Sequence, residues 1–175
     1  HLWDRSQFDL PWIAGAEPLN KDFLMSDYLE ATRDLGVVRT IYMEVNVDPG
    51  QRLAEAEYVA QLCQAQDNPM SGAVISGSPD ADDFEDYIGR FEDSPFIKGV
   101  RRVLHRPDTP QGTCLTAPFV AGVRLLGELG MSFDICLRPA ELGDGVQLVD
   151  QCPGTRFIVD HCGNPDPQIL SGQAD

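Results

Sequence analysis

Short apolar runs recur along the chain, and they constrain its fold more than any other feature. Segments with helical periodicity or helix-capping residues lie between successive runs. Strands that alternate with helices predict a parallel sheet, and a long series of such units predicts a sheet closed into a barrel. The expected fold is therefore α/β, of the (β/α)₈ or TIM-barrel type. Five runs have the length and composition of buried strands: Val37–Val45, Ala73–Ser76, Ile97–Val103, Ser132–Leu137 and Phe157–Val159.

Helix-like segments separate these runs. Ser26 is the expected N-cap of the first helix, and Gly36 is expected just after its end. Acidic residues fill the first turn of the third helix, where the helix dipole favours negative charge. The predicted helices are Ser26–Gly36, Gln51–Gln66, Asp80–Phe91, Phe119–Leu129 and Pro139–Val149.

The chain is shorter than the barrel that this repeat predicts. An eight-unit barrel takes roughly 250 residues, whereas the chain has 175. His1 stands where a first strand should end, and only a short tail follows the last strand, RFIVDH. We therefore expect one domain, residues 1–175, that covers the end of the first barrel strand through the sixth. Strands seven and eight would be missing, and such a fragment should be inactive by itself.

Composition excludes two classes of partner. The chain has 13 Lys and Arg against 28 Asp and Glu, a formal net charge of −15. Binding to nucleic acid or to an anionic membrane needs basic patches, which this balance argues against. No apolar run is long enough to cross a membrane. We expect a protein that acts on a small molecule, and the sequence leaves its oligomeric state open.

The cysteines indicate a reducing compartment. Their number is odd, and no C-x-x-C spacing occurs, so neither a disulfide framework nor a structural zinc site is expected. A cytoplasmic location with reduced thiols fits best. Cys136 and Cys162 could act as nucleophiles, but neither has a recognisable motif around it, so both are expected to be buried thiols. The five are Cys63, Cys114, Cys136, Cys152 and Cys162.

Polar residues collect where the predicted strands end, and in barrels of this kind function lies at those ends. Histidine binds divalent metals, and arginine gives paired donors to a carboxylate or an ester oxygen. The set suits hydrolysis of a polar carbonyl compound. Each residue also has a structural alternative: a histidine held by its neighbours, a Glu44 that only pairs with an arginine, or arginines that are simply solvated. The residues are His1, Glu44, Arg101, Arg102, Arg138, Asp160 and His161.

Two further features lie outside the strands. Trp3, Phe8 and Trp12 precede the first helix near the expected rim, where aromatic side chains either contact substrate or pack as a lid. His105 lies past its strand and is expected in a loop.

Several stretches, taken in order, resemble the amidohydrolase-related family, in its branch of sugar lactonases similar to L-fuconolactonase. They cover nearly the whole chain: HLWD with FDLPWI, YMEV, KGVRRVLH, SFDICLRPAEL and FIVDHCGNPD. The resemblance implies a hydrolase that opens a sugar-acid lactone or a similar cyclic ester by attack of water on the carbonyl. It implies that His1 is the second histidine of an H-x-H pair. The aspartate expected to act on the water would lie beyond Asp175.

The resemblance also matches His161 and Arg101 to residues of the family's site. Together with Glu44, which is chosen for its strand-end position, they are the expected catalytic residues. The expected substrate contacts are chosen by position alone: Arg102, Arg138 and Trp3. His1 and His161 would bind one divalent metal, with zinc favoured, although some relatives use none.

Two other functions stay open. Related amidohydrolase barrels include decarboxylases of aromatic or unsaturated acids, but FDLPWI and LRPAEL are more similar to the lactonase branch. A non-catalytic fragment is the third alternative.

Overall fold

The structure is a computed structural model that describes residues 2–65 and 67–170, apart from the side chains of residues 169 and 170. Its strands are β1 (Thr40–Met43), β2 (Met70–Ser76), β3 (Ile97–Val103), β4 (Ser132–Cys136) and β5 (Arg156–Val159). Its α-helices are α1 (Met25–Thr32), α2 (Arg52–Gln64), α3 (Phe84–Gly89), α4 (Ala117–Glu128), α5 (Leu142–Gln151) and α6 (Pro167–Leu170).

The predicted fold class is confirmed. The strands follow the chain in sheet order, β1-β2-β3-β4-β5. The pairs β1–β2, β3–β4 and β4–β5 are parallel, and a helix follows each of the first four strands. These strands correspond to the second through sixth strands of the predicted barrel.

The chain forms two compact units. Unit 1 comprises the residues up to Ser76 together with Asp93–Lys98, and unit 2 comprises Gly77–Glu92 with the residues from Gly99 onward. In unit 1, α2 packs on β2 through fully buried small and branched side chains, which are Ala56, Val59, Ala73 and Ile75.

The core of unit 2 contains a row of aromatic contacts. Phe119 of α4 meets Phe133 of β4 edge to face, with ring centroids 5.6 Å apart, and Phe133 meets Phe157 of β5 at 6.4 Å. Such pairs add specific geometry to the apolar area that they bury. Because side chains alternate along a strand, residues next to Phe133 point away from α4.

Some element boundaries differ from the predictions. The first helix begins at Met25, with Leu24 as its N-cap, so the prediction of Ser26 as the cap is wrong. The carboxylate of Asp27 accepts the Leu24 N–H at 2.7 Å and satisfies that end of the helix. The strand predicted from Val37 begins only at Thr40, because Thr40 is the first residue with a partner on β2. Val38 is consequently 85% exposed.

The acidic helix is also shorter than predicted. It spans only Phe84–Gly89, and turns occupy the residues before it, with Ala81 donating to the Ser78 carbonyl and Phe84 to the Ala81 carbonyl. Asp80 lies in this turn and pairs with Arg102 instead of joining the helix. Among residues 2–65 and 67–170, no helix has the length and apolar character needed to cross a membrane.

Candidate functional site

One face of the unit 2 sheet carries buried polar groups. Arg101 of β3 is the register partner of Asp134 on β4, and both are buried. Cys136 lies two residues beyond Asp134 and therefore on the same face, opposite the face that α4 covers. Asp160 follows the Ile135–Val159 pair at the end of β5, which places it beside Cys136. The alternation of β4 thus separates an apolar face from a polar one.

A buried ion pair joins the ends of β3 and β5. The Arg101 Nη1 lies 3.2 Å from the Asp160 Oδ2, and each side chain is only 7% exposed. Buried charges are tolerated when they are paired and hydrogen-bonded. The pair therefore fixes the position of Asp160 and of the residue after it, His161.

The backbone after Asp160 is left-handed for four consecutive residues. φ is 48° at His161, 55° at Cys162, 85° at Gly163 and 55° at Asn164. Glycine and asparagine tolerate this region, but histidine and cysteine do so at a cost of about 1–2 kcal/mol each. The surrounding structure holds the turn, since the side-chain Nδ2 of Asn164 donates a hydrogen bond to the Leu137 carbonyl at 2.8 Å. Strain of this kind is concentrated at functional sites.

Three side chains at this turn offer metal ligands of different types. A sulfur of Cys136, a carboxylate oxygen of Asp160 and a ring nitrogen of His161 all lie within 4.8 Å of one another. Zinc accepts thiolate, imidazole and carboxylate ligands. The donor set therefore fits zinc, and the Arg101 guanidinium offsets part of its negative charge. We call Arg101, Cys136, Asp160 and His161 the strand-end cluster.

His105 borders the strand-end cluster from the loop after β3, where it was predicted. Its Nδ1 is 3.4 Å from the Sγ of Cys136. Partial desolvation lowers the pKa of His105, and the nearby His161, Arg101 and Arg138 side chains lower it further. The imidazole is therefore neutral at neutral pH, the form that accepts a proton or binds a metal.

The two arginines predicted from the β3 end lie on opposite faces. Arg101 belongs to the strand-end cluster, whereas Arg102 forms an ion pair with Asp80 and lies over the Phe119 ring, 5.8 Å from its centroid. The structure therefore brings Arg101 together with His161 but holds Arg102 on the helix-covered side. Substrate binding by Arg102 stays a prediction.

Arg138, also predicted to bind substrate, is engaged by the protein. It lies just after β4, pairs with Glu141 and donates to backbone carbonyls of the loop that carries His105.

Glu44 lies in unit 1, directly after β1, and is buried. Its carboxylate accepts a hydrogen bond from the N–H of Asn46, which has a φ of 51°. Its own N–H donates to the Val74 carbonyl at 3.0 Å. These contacts stabilise a turn, and a catalytic role of Glu44 stays a prediction.

Trp3, in unit 1, is buried against Phe23, at 4.7 Å, and Trp12, at 5.8 Å between ring centroids. Its indole N–H donates to the Lys21 carbonyl at 2.8 Å. This packing favours the lid alternative, so Trp3 is left out of the proposed site. His1 lies outside the described residues, and so does any metal site that it would form with His161.

Asp160 and Cys136 belong to the strand-end cluster, although neither is among the residues predicted to be catalytic or to bind substrate or metal. The signal for Cys136 is the alternation within SFDICL, in which Asp134 and Cys136 share the face opposite Phe133 and Ile135. Cys136 is buried, as predicted, but the prediction of a buried thiol is wrong for Cys162, which is exposed on the left-handed turn.

The parallel α/β fold and its polar strand-end cluster define the structural class of the protein. Comparison with known proteins gives its family. The amidohydrolase family profile matches residues 1–175. The chain belongs to the amidohydrolase family.

Several solved structures have a similar fold. An amidohydrolase from Bifidobacterium longum subsp. infantis is 26% identical, with a TM-score of 0.70, over 95% of this chain and 61% of that protein. A Burkholderia multivorans amidohydrolase crystallised with bound zinc is 19% identical, with a TM-score of 0.77, over 94% of this chain and 56% of that protein.

A third solved structure is a Pseudomonas putida protein provisionally named a 2-pyrone-4,6-dicarboxylic acid hydrolase. It is 18% identical, with a TM-score of 0.63, over 91% of this chain and 55% of that protein. This structure and the zinc-bound one show the fold alone. The chain spans about 60% of the length of the first relatives it matches.

Proposed function

We propose that the protein is a hydrolase that opens a lactone or a similar cyclic ester by attack of water on the carbonyl carbon. The observation that carries this proposal is the buried Arg101–Asp160 pair, which holds a left-handed turn and thereby His161 in a member of the amidohydrolase family. Functional groups of α/β barrels lie at this end of the strands.

His161 is the residue we propose to meet the substrate. It is exposed, whereas its neighbours Cys136 and Asp160 are buried, so its imidazole is the accessible member of the strand-end cluster. It would stabilise the charge that develops on the carbonyl oxygen. When it holds a metal, the bound cation would supply that stabilisation.

Arg101 contributes positive charge next to this position. Because it is buried and paired with Asp160, its charge acts through a medium of lower effective dielectric than water. We propose that it fixes the turn and stabilises negative charge on the substrate. The amidohydrolase-related lactonases are the branch in which we place the protein.

A divalent metal, zinc foremost, is part of the proposal. Cys136, Asp160 and His161 would hold it. When bound, such a cation polarises a carbonyl oxygen. The zinc in the Burkholderia protein supports this choice of metal for a related fold.

The substrate class has its own support. The Pseudomonas putida neighbour is named for a 2-pyrone, and a 2-pyrone ring is a cyclic ester. We therefore propose a small cyclic ester as substrate, in a cytoplasmic protein whose thiols are reduced.

The test is the variant His161→Ala in the intact protein, assayed on a panel of sugar lactones. Removing one charge-stabilising or proton-handling group costs about 10²–10⁴-fold in rate. Cys162→Ser is the matched control, because Cys162 is exposed on the same turn and has no assigned role. Turnover of His161→Ala equal to that of the control, with far-UV circular dichroism unchanged, would reduce His161 to a structural residue.

A further inference from the structure

All three guanidinium nitrogens of Arg138 contact acceptors within unit 2. Nε lies 3.0 Å from Oε2 of Glu141, and Nη2 donates to Oε1 of the same carboxylate at 3.1 Å. Nη1 donates to the carbonyls of Leu104 at 3.3 Å and Arg106 at 2.7 Å, and Nη2 donates to that of Thr109 at 2.7 Å. An arginine has five N–H donors in a fixed fork. A substrate oxygen could bind here only by displacing one of these acceptors.

The three carbonyls belong to one short segment, residues 104–109, which we call the 104–109 loop. Only its first residue continues the sheet, since the Leu104 N–H donates to the Cys136 carbonyl at 2.9 Å. Arg138 binds the carbonyl of Leu104 and, beyond it, those of Arg106 and Thr109. Glu141, which is 4% exposed, holds Arg138 from the other side.

The 104–109 loop carries His105, whose Nδ1 lies against the sulfur of Cys136. His105 stands between two of the gripped carbonyls, those of Leu104 and Arg106. A loop that loses these bonds is free to withdraw the imidazole from the sulfur.

We propose that Arg138 and Glu141, here named the Arg138–Glu141 clamp, position the 104–109 loop so that His105 covers Cys136 at the edge of the strand-end cluster. Arg138 is then a positioning residue and not a substrate contact. The catalytic consequence rests on the proposed function, but the structural consequence does not.

The first test measures the loop directly. Arg138→Lys keeps the positive charge but cannot reproduce a five-donor fork. Hydrogen exchange of the 104–109 amides and the rate of Cys136 alkylation, both read by peptide mass spectrometry, report opening of the loop. Cys162→Ser serves as the background, because it removes the exposed thiol. Loss of two hydrogen bonds, at about 1 kcal/mol each, should raise both rates by about tenfold or more.

Arg106→Lys is the matched control. Arg106 lies in the same loop, but its side chain only pairs with Asp108 at the surface, where the two side chains are 40% and 68% exposed. It should leave both rates within about twofold of the parent, as surface substitutions do. Glu141→Gln keeps the shape of the side chain and should open the 104–109 loop as Arg138→Lys does. It is the second test variant if Arg138→Lys does not fold.

The kinetic arm separates this proposal from the proposed function. A positioning role predicts that Arg138→Lys lowers kcat more than it raises KM. If the rates of alkylation and exchange rise in the clamp variants but the parent protein opens no lactone, the positioning role of Arg138 is supported and the proposed function is wrong. Unchanged alkylation and exchange in both clamp variants would overturn the clamp. So would a raised KM with an unmoved loop, because Arg138 would then bind substrate.

Discussion

Replacing Asp160 by asparagine removes a charge from the strand-end cluster while it keeps the size of the side chain. The Arg101 guanidinium then loses the carboxylate that it binds at 3.2 Å, at a site where it is 7% exposed. Because the site is nearly dry, water cannot replace the lost partner without rearrangement.

The magnitude follows from the geometry. Unit charges at 3.2 Å attract by about 5 kcal/mol for an effective dielectric of about 20. Breaking a buried pair by removing one partner typically costs about 3–5 kcal/mol. The free energy of unfolding should fall by that amount, and for a chain of this size the melting temperature should fall by roughly 6 to 20 °C.

Urea denaturation followed by circular dichroism gives the free energy of unfolding. Asp80→Asn is the matched control, because Asp80 pairs with Arg102 where the two side chains are 27% and 24% exposed. That pair is partly solvated, so its loss should cost about 1 kcal/mol. The double variant Arg101→Met with Asp160→Asn should recover part of the loss, because it leaves no unpaired charge in the buried site. A cost for Asp160→Asn no greater than that for Asp80→Asn would refute the reasoning.

Three further predictions concern the arginines of β3, the metal ligands of the strand-end cluster and the thiols of the chain. Arg101→Lys should lower kcat/KM by about tenfold or more, whereas Arg102→Lys on the opposite face should leave it within about twofold; the reverse order in steady-state kinetics would show that the wrong arginine is assigned. Titration with cobalt(II) should produce a thiolate-to-metal absorption band that Cys136→Ser abolishes, and a band that survives the substitution would exclude Cys136 as a ligand. Cys162 should be the one thiol that reacts fast with a disulfide reagent at pH 8. Burial raises the pKa of Cys63 and Cys114 to about 11, so about one in a thousand of these thiols is ionised at that pH. A second fast thiol in the kinetic trace would contradict this prediction.

The sequence predicted elements well where apolar content and sheet pairing coincide. β3 has the predicted bounds, Ile97–Val103. Val37 and Val38 are equally apolar, yet they lie outside β1 because the register with β2 starts only at Thr40. An apolar run shows only that a segment could be buried. A strand also needs a neighbouring strand to pair with, and that pairing depends on the tertiary fold.

The residues of the site also fall into those that the sequence could predict and those that it could not. A strand-end position was enough to single out Arg101 and His161, because parallel strands bring their carboxyl ends to one edge. It could not separate Arg101 from Arg102, since the face that α4 covers is set by where Phe119 packs. The partner of Arg101 is 59 residues away in sequence, and the acceptors of Arg138 form only when the 104–109 loop folds. Such contacts have no local signal.

The central claim, hydrolysis of a cyclic ester at His161, is tested most directly by product analysis in ¹⁸O-labelled water. The intact protein is incubated with sugar lactones and, separately, with hydroxylated benzoates. The masses of the products are then measured by mass spectrometry. We expect a hydroxy acid that carries one ¹⁸O in its new carboxylate. The parent protein and Cys162→Ser should form it at similar rates, and His161→Ala far more slowly. Release of CO₂ from the benzoates with no lactone opened would contradict it, as would equal rates of label incorporation in the parent and in His161→Ala.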